Sequence, residues 1–227
     1  MKLLRIAVLA GLALMTFVAV APAAVETYAL DPSHTVVGFS VRHFFSQVPG
    51  SFKEFSGTVK LDPANWGASS VDATIQTTSI YTNNDRRDNH LRSADFFEVD
   101  KFPTITFKST KVTKSADNKL QVAGDLTMKG ITKPVVLNVE FLGAGTVTVE
   151  GRPAGQRAGF TATTTINRKD FNILWNKQLD QGGTMLGDDV TINIGVEAIK
   201  QEAQAASEAP AQATHKAEEK KTSADKK

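Results

Sequence analysis

Apolar and polar residues alternate with a period of two through the middle of the chain. The pattern runs from Lys119 to Gly143 and is interrupted only by a short polar turn at Lys129–Lys133. Successive side chains of a β-strand point to opposite faces, so each half of this segment has one dry face and one wet face. The pattern therefore predicts a β-hairpin.

The same alternation recurs in eight segments, each with a single apolar row. No crossover helices separate them, so neighbouring strands are expected to be antiparallel. Eight long strands with one dry face must curl into a barrel or split into a sandwich, and we expect closure. The sequence thus predicts an all-β fold, an eight-stranded antiparallel closed β-barrel whose interior holds packed side chains or one slender ligand. The segments are His34–Phe44, Ser51–Leu61, Ser70–Thr78, Thr104–Thr113, Lys119–Lys129, Pro134–Leu142, Arg157–Asn167 and Asp189–Ile199.

Two connections differ from the rest. Thr82–Phe97 has a polar first turn and a few apolar residues, which predicts one short helix between strands three and four with Thr82 as its N-cap. Asp170–Gly187 is rich in apolar residues around Gly182–Gly183. Such a connection at a barrel end could form a lid.

Both ends of the chain depart from the strand pattern. Lys2 and Arg5 precede an apolar run that ends in small residues near Ala23, which indicates a signal peptide over residues 1–23 and export to the periplasm. Residues 24–200 then form the barrel domain. Residues 201–227 are rich in Ala, Glu and Lys and lack aliphatic branched and aromatic residues, so we expect a disordered tail.

Charge and cysteine content narrow the classes of function. Two of the 26 basic residues lie in the predicted signal peptide, which leaves 24 basic and 24 acidic residues in the mature chain. This balance gives no electrostatic footprint for nucleic acid. The chain has no cysteine, so the exported domain must be stabilised by its core without disulfides or thiolate metal sites.

The apolar rows and the last connection supply the candidate ligand-binding residues, which should converge on one pore. Residues near the middle of their strands, such as Leu126 and Val139, are expected to contact a long tail, while Trp175 and Leu179 cover the mouth. The full set is Phe39, Val41, Phe55, Val59, Ile75, Phe107, Leu126, Met128, Leu137, Val139, Phe160, Ile173, Trp175 and Leu179.

Two alternatives remain open at this stage. The protein could be a small periplasmic enzyme or metal-site protein that uses histidines and aspartates at a barrel mouth, although no nucleophile motif or metal-ligand spacing supports it. It could also be a structural barrel with a filled core. The residues of the first alternative are His34, His43 and His90 with Asp31 or Asp95.

Several longer motifs carry a resemblance to a known family. They include YALDPSHTVVGFSVRH, DNHLRSADFFEVDKFPTITFKST, GDLTMKGITKPVVLNVEF and GDDVTINIGVEA, and the resemblance that they carry extends over nearly all of residues 26–200. With these motifs the chain resembles the YceI-like family of exported, lipocalin-like polyisoprenoid-binding proteins. One departure is Asn172, which stands where the family pattern R-x-x-F-G-I-x-W has Gly.

The resemblance implies a binding protein without catalytic residues, metal or cofactor. Its partner would be a long amphiphile, such as a polyprenyl chain, an isoprenoid quinone or a fatty-acid derivative, held for carriage, storage or stress protection. Such a role allows transient contact with a membrane and leaves the oligomeric state open, a dimer included.

Overall fold

The computed structural model of the protein describes residues 25–202. The predicted signal peptide and all but the first two residues of the predicted tail lie outside this range. Within it, no helix has both the length and the apolar content that crossing a bilayer requires.

Eleven strands and one α-helix make up the described fold. The helix, α1, spans Asp85–Arg92, and short 3-10 turns occur at Trp66–Ala68, Thr77–Ser79 and Arg168–Phe171. The strands are β1 Glu26–Leu30, β2 Val36–His43, β3 Ser46–Phe52, β4 Phe55–Leu61, β5 Ser70–Gln76, β6 Ile80–Tyr81, β7 Thr104–Ala116, β8 Lys119–Met128, β9 Ile131–Val149, β10 Arg152–Asn167 and β11 Leu186–Lys200.

These strands close into a barrel with eight strand positions. The order β1-β4-β5-β7-β8-β9-β10-β11 is completed by pairing of β1 with β11, and the pairings are antiparallel. Strand β2 pairs with the earlier part of β11, so β1 and β2 share one position along the barrel wall. The prediction of an eight-stranded antiparallel closed barrel with one helix is therefore confirmed.

The first strand position contains a break that the sequence analysis did not predict. The predicted strand began at His34 and missed β1, because Asp31 ends β1 in a local turn. Its carboxylate accepts a hydrogen bond from the Ser33 N–H at 2.9 Å, and its carbonyl accepts one from the His34 N–H at 3.2 Å. An aspartate that bonds the backbone two residues on competes with strand pairing.

The β8–β9 hairpin follows the predicted alternation with a tighter turn. Met128 pairs directly with Ile131, so the turn consists of Lys129 and Gly130 alone. Both have positive φ, +50° and +73°. Two consecutive residues with positive φ form the turn that matches the twist of a hairpin, which explains why two residues suffice where five were predicted.

Helix α1 lies between the third and fourth strand positions, as predicted, but begins later. Its N-cap is Asn84, whose side chain accepts a hydrogen bond from the Arg87 N–H at 2.9 Å. The predicted N-cap, Thr82, instead donates its N–H to the buried Asp88 carboxylate at 2.9 Å. Arg92 donates to the Ile80 carbonyl at 2.8 Å and fixes the helix against the barrel rim.

Candidate functional site

A long apolar cavity of about 200 Å³ runs inside the barrel, and we call it the lumen. Every second residue of the strands faces it, because the pleat sends alternate side chains inward. Ten of the fourteen residues predicted to line a pore line it: Phe39, Phe55, Val59, Ile75, Phe107, Leu126, Met128, Leu137, Val139 and Phe160.

A second cavity of about 780 Å³, the mouth, lies at the end of the barrel covered by α1. It takes in three more of the predicted residues: Val41, Ile173 and Trp175. The lumen and the mouth share the lining residues Phe39, Phe52, Ile105, Met128, Ile166 and Ile192. The two cavities therefore adjoin each other inside the barrel, the lumen apolar and the mouth partly polar.

Leu179 lines neither cavity, which differs from its predicted place over the mouth. It lies in a small loop that is closed by a bridge between Gln178 and Thr184. Its N–H donates to the Gly183 carbonyl at 3.1 Å, so the loop folds on itself. Apolar character indicated burial for Leu179, but the loop closes on itself and leaves this residue outside the lining of both cavities.

Trp175 reaches the mouth because Arg168 organises the segment before it. The buried guanidinium of Arg168 donates to the carbonyls of Ile173 at 2.7 Å, Trp175 at 2.8 Å and Gly187 at 2.9 Å. It also pairs with the Asp188 carboxylate at 3.1 Å. Burial lowers the pKa of Arg168, and Asp188 opposes that effect.

Asn172 adopts a left-handed backbone conformation at the position where the family pattern has Gly. It ends the 3-10 turn with φ +57° and ψ +32°, the left-handed conformation. Asparagine tolerates this region better than most residues with a side chain. The departure from the pattern therefore leaves the path of the segment intact, and Ile173 remains buried.

The opposite end of the barrel is filled rather than open. Tyr28 is completely buried, and its hydroxyl donates to Glu26 at 2.6 Å, while Glu26 also pairs with Lys200. Burial, and then the hydrogen bond to Glu26, raises the pKa of Tyr28 to about 12. The Trp66 ring packs edge-on against Phe141 at 5.2 Å beside this group. The buried Tyr28 side chain thus fills this end, and the Glu26–Lys200 pair is partly exposed beyond it.

The histidines and aspartates of the enzyme alternative do not form one group. His34 contacts Asp31 at 2.8 Å, and His90 contacts Asp95 at 2.8 Å, but only His90 and His43 line the mouth. The Asp31–His34 pair adjoins Glu197, which alternates along β11 with the lumen-lining Val196 and so lies on the outer face.

Arg157 occupies the centre of that outer cluster. It donates to Asp31 at 3.1 Å and pairs with Glu197, so its guanidinium already supplies the positive charge between the carboxylates. The pKa of Asp31 falls to about 2, first because of the His34 hydrogen bond and then because of the Ser33 N–H, with a further contribution from Arg157. The ligand atoms of Asp31, His34 and Glu197 could otherwise hold a metal ion, since they lie within 4.8 Å of one another.

Sequence reasoning missed the basic residues of the mouth. Arg86, Arg87 and Arg168 line it together with Thr82 and Asn84. The polar first turn of α1 served only to predict the helix, since a single short helix gives no sign of which cavity it borders. The signal in the sequence that could have found them is the pair of adjacent arginines in the helix that covers one end of the barrel.

Comparisons with known proteins agree with this architecture. The YceI-like domain profile matches residues 28–198. Protein YceI of Shigella flexneri is 42% identical over 172 residues, which cover 75% of this chain and 84% of that protein.

Two solved structures share the fold. BcnA of Burkholderia cenocepacia superposes with a TM-score of 0.65 at 25% identity, covering 74% of this chain and 98% of that one. A polyisoprenoid binding domain of Saccharophagus degradans, implicated in plant cell wall breakdown, superposes with a TM-score of 0.55 at 15% identity, covering 78% and 99%. The match over residues 28–198 and the shared barrel lead to one conclusion: the chain belongs to the YceI-like family.

Proposed function

We propose that the protein is a non-catalytic binding protein that holds one long-chain amphiphile, with the tail in the lumen and the head group in the mouth. The observation that carries this proposal is an apolar lumen that adjoins a polar mouth at one end of the barrel. A polyisoprenoid, an isoprenoid quinone or a fatty-acid derivative has the matching shape and polarity. The binding function in the name of the Saccharophagus degradans domain supports the same class of ligand.

The size of the lumen supports a bound tail. An engineered apolar cavity of about 150 Å³ in another protein stays dry and binds benzene. The lumen, at about 200 Å³, is larger and is lined almost entirely by apolar side chains. Each methylene group buried there contributes about 0.8 kcal/mol before the cost of immobilising the tail is subtracted.

The proposal extends to location and role. A basic start followed by an apolar run and small residues supports cleavage near Ala23 and residence in the periplasm. There the protein would carry or store its ligand, or protect against stress. An intact mass of the exported protein tests the location, and retention of residues 1–23 would overturn it.

A transient membrane contact at the mouth also belongs to this proposal. Phe45 is fully exposed at the tip of the β2–β3 hairpin, and the neighbouring Phe44 donates its N–H to the mouth residue Met185 at 2.9 Å. Aromatic residues at such a tip suit the interface of a bilayer. Phe45→Ser should slow transfer of a fluorescent lipid to vesicles without changing its equilibrium affinity. An unchanged transfer rate would refute the contact.

The main test compares two valines of the same strand. Val139 lines the lumen and is 9% exposed, whereas Val136 is 46% exposed on the other face of β9. Val139→Phe should expel the lipid, because the larger side chain takes the volume of the tail, while Val136→Phe should keep it. Bound lipid is measured by organic extraction and mass spectrometry, beside thermal melts.

Two results would count against a binding function. One is the absence of any extractable amphiphile from the wild type together with no uptake of added lipid. The other is a Val139→Phe variant that only loses about 1–3 kcal/mol of stability, as overpacking of a filled core predicts, and binds lipid as the wild type does.

A further inference from the structure

We propose that the mouth is a receptor for an anionic head group, a carboxylate or a phosphate, and that Arg86 is its principal partner. This inference rests on the proposed function and specifies the chemistry of the ligand. A neutral quinone or alcohol with the same tail would bind less tightly.

The charged side chains that line the mouth have one sign. Its charged lining residues are Arg86, Arg87 and Arg168, and two further lining residues, His43 and His90, carry imidazoles. No aspartate or glutamate of residues 25–202 lines this cavity. A cavity walled on one side by apolar groups and bordered by cations attracts an anion more strongly than a neutral group.

The three arginines differ in how many of their N–H donors are free to bind a ligand. Arg168 already donates hydrogen bonds to three carbonyls and pairs with Asp188. Arg87 donates to the Thr82 hydroxyl and carbonyl, both at 2.7 Å, which leaves part of its guanidinium free. Arg86 is exposed and makes no hydrogen bond or ion pair with the residues described. Its five donors are therefore available to a ligand.

The local structure holds Arg86 at a fixed place beside the tail. Asn84 caps α1, Arg92 ties the helix to the Ile80 carbonyl, and the buried Asp88 bonds Thr82. The mouth and the lumen share six lining residues, so a tail in the lumen places its head group in the mouth. The rigid base reduces the entropy lost when Arg86 pairs with that group.

The aromatic wall of the mouth strengthens the interaction between an arginine and an anionic head group. Trp175 packs edge-on against His90 at 4.9 Å and at a tilt of 43° against Phe96 at 5.3 Å. Asp95 bonds His90 of this wall but does not line the cavity. Apolar neighbours exclude water from one side of the head group, and a charge-assisted hydrogen bond is stronger there than in bulk water.

The test uses three probes with one tail. Dodecanoate, dodecyl phosphate and dodecanol are titrated into the delipidated full-length protein, and their affinities are compared by calorimetry. Both anions should bind about tenfold more tightly than the alcohol, the gain expected of one charge-assisted contact. Added salt should weaken the binding of the anions and leave that of the alcohol unchanged.

Two substitutions of Arg86 test whether its charge, and not the folding of the protein, determines the affinity for anions. Arg86→Gln should reduce the anions to the affinity of the alcohol, and Arg86→Glu should make them weaker than the alcohol. The matched control is Arg152→Gln, because Arg152 is exposed at the start of β10, the opposite end from the mouth. That control should retain the tenfold preference.

The outcomes distinguish this inference from the function on which it rests. Equal affinities of the three probes for the wild type, or an anion preference that survives in Arg86→Glu, would overturn the head-group site while the binding of tails stands. No binding of any probe would overturn the binding function itself. A preference for one anion over the other supports the site and identifies the head group as carboxylate or phosphate.

Discussion

Asp31 interrupts what would otherwise be a continuous strand from Glu26 to His43. Its carboxylate contacts His34, the Ser33 N–H and Arg157, so one side chain links the break in the barrel wall to β10. Its backbone N–H donates to the Glu197 carbonyl at 2.9 Å and connects the break to β11 as well. The stability of this corner should therefore depend on the ionised form of a single carboxyl group.

We expect Asp31 to produce a pH dependence at the acid end. The pKa is lowered from its ordinary value of 3.8 to about 2 in the folded protein. A lowered pKa stabilises the fold above the unfolded value, and the contribution is lost as the pH falls through the folded value. The free energy of unfolding should thus decrease between about pH 4 and pH 2. In Asp31→Asn this part of the decrease should be absent.

The measurement is urea unfolding at closely spaced pH values. Other carboxyl groups titrate in both proteins, so the informative quantity is the difference between the wild type and Asp31→Asn. A difference that does not change between pH 4 and pH 2 would show that Asp31 keeps its ordinary pKa.

At the scale of elements, a glycine on one strand accommodates an aromatic ring from the next. Gly124 interrupts the apolar row of β8, and the Phe107 ring of β7 fills the gap. A Cβ atom at Gly124 would lie 2.5 Å from the Phe107 Cζ and 2.6 Å from the Lys108 carbonyl oxygen. The neighbouring strands therefore fit only because this position has no side chain.

Gly124→Ala should lower the free energy of unfolding by about 1–3 kcal/mol, the cost of overpacking. It should also reduce lipid uptake, since the displaced Phe107 ring moves into the lumen. Gly195→Ala on β11 is the control, because nothing lies within 4 Å of its added Cβ. That variant should be neutral or more stable by about 0.5–1 kcal/mol. Equal effects of the two substitutions in denaturant melts would refute the fit.

The segment before β11 depends on the fork of Arg168. Arg168→Lys keeps the charge but cannot reach three carbonyls and Asp188 together, so we expect a loss of roughly 2–4 kcal/mol. Lys169 also pairs with Asp188 at 2.7 Å, yet its side chain is about half exposed. Lys169→Gln should then cost no more than about 1 kcal/mol. Thermal melts of the two variants show whether stability depends on the hydrogen bonds of the Arg168 guanidinium or on positive charge beside Asp188.

The sequence was sufficient for the barrel and for its lining because period-two alternation is a local property. Val139, for example, had to face the lumen once its strand was closed into a barrel. The break at Asp31 and the loop around Leu179 depend on hydrogen bonds within turns, which the apolar pattern does not encode. Arg86 was missed for another reason: its place at the mouth follows from how α1 packs on the rim, a tertiary relation.

For the whole molecule, the important asymmetry is one polar end and one filled end. Affinity for alkyl anions should rise with tail length while methylene groups enter the lumen and then level off when the tail meets Tyr28. Tyr28→Phe keeps the filled end and should not move this limit. Tyr28→Ala removes the ring and should move it to longer tails, at a cost of about 3–5 kcal/mol in stability. Titration with a series of chain lengths measures the limit, and a constant limit would contradict the filled end.

The filled end also sets the order of events in ligand exchange. A molecule that has one opening admits the tail before the head and releases the head before the tail. Under the proposed function the ligand would not pass straight through from a donor to an acceptor, so both would have to approach the same rim. Delivery and collection would then compete for one docking place, and the rate of exchange between two membranes would fall when either is in excess.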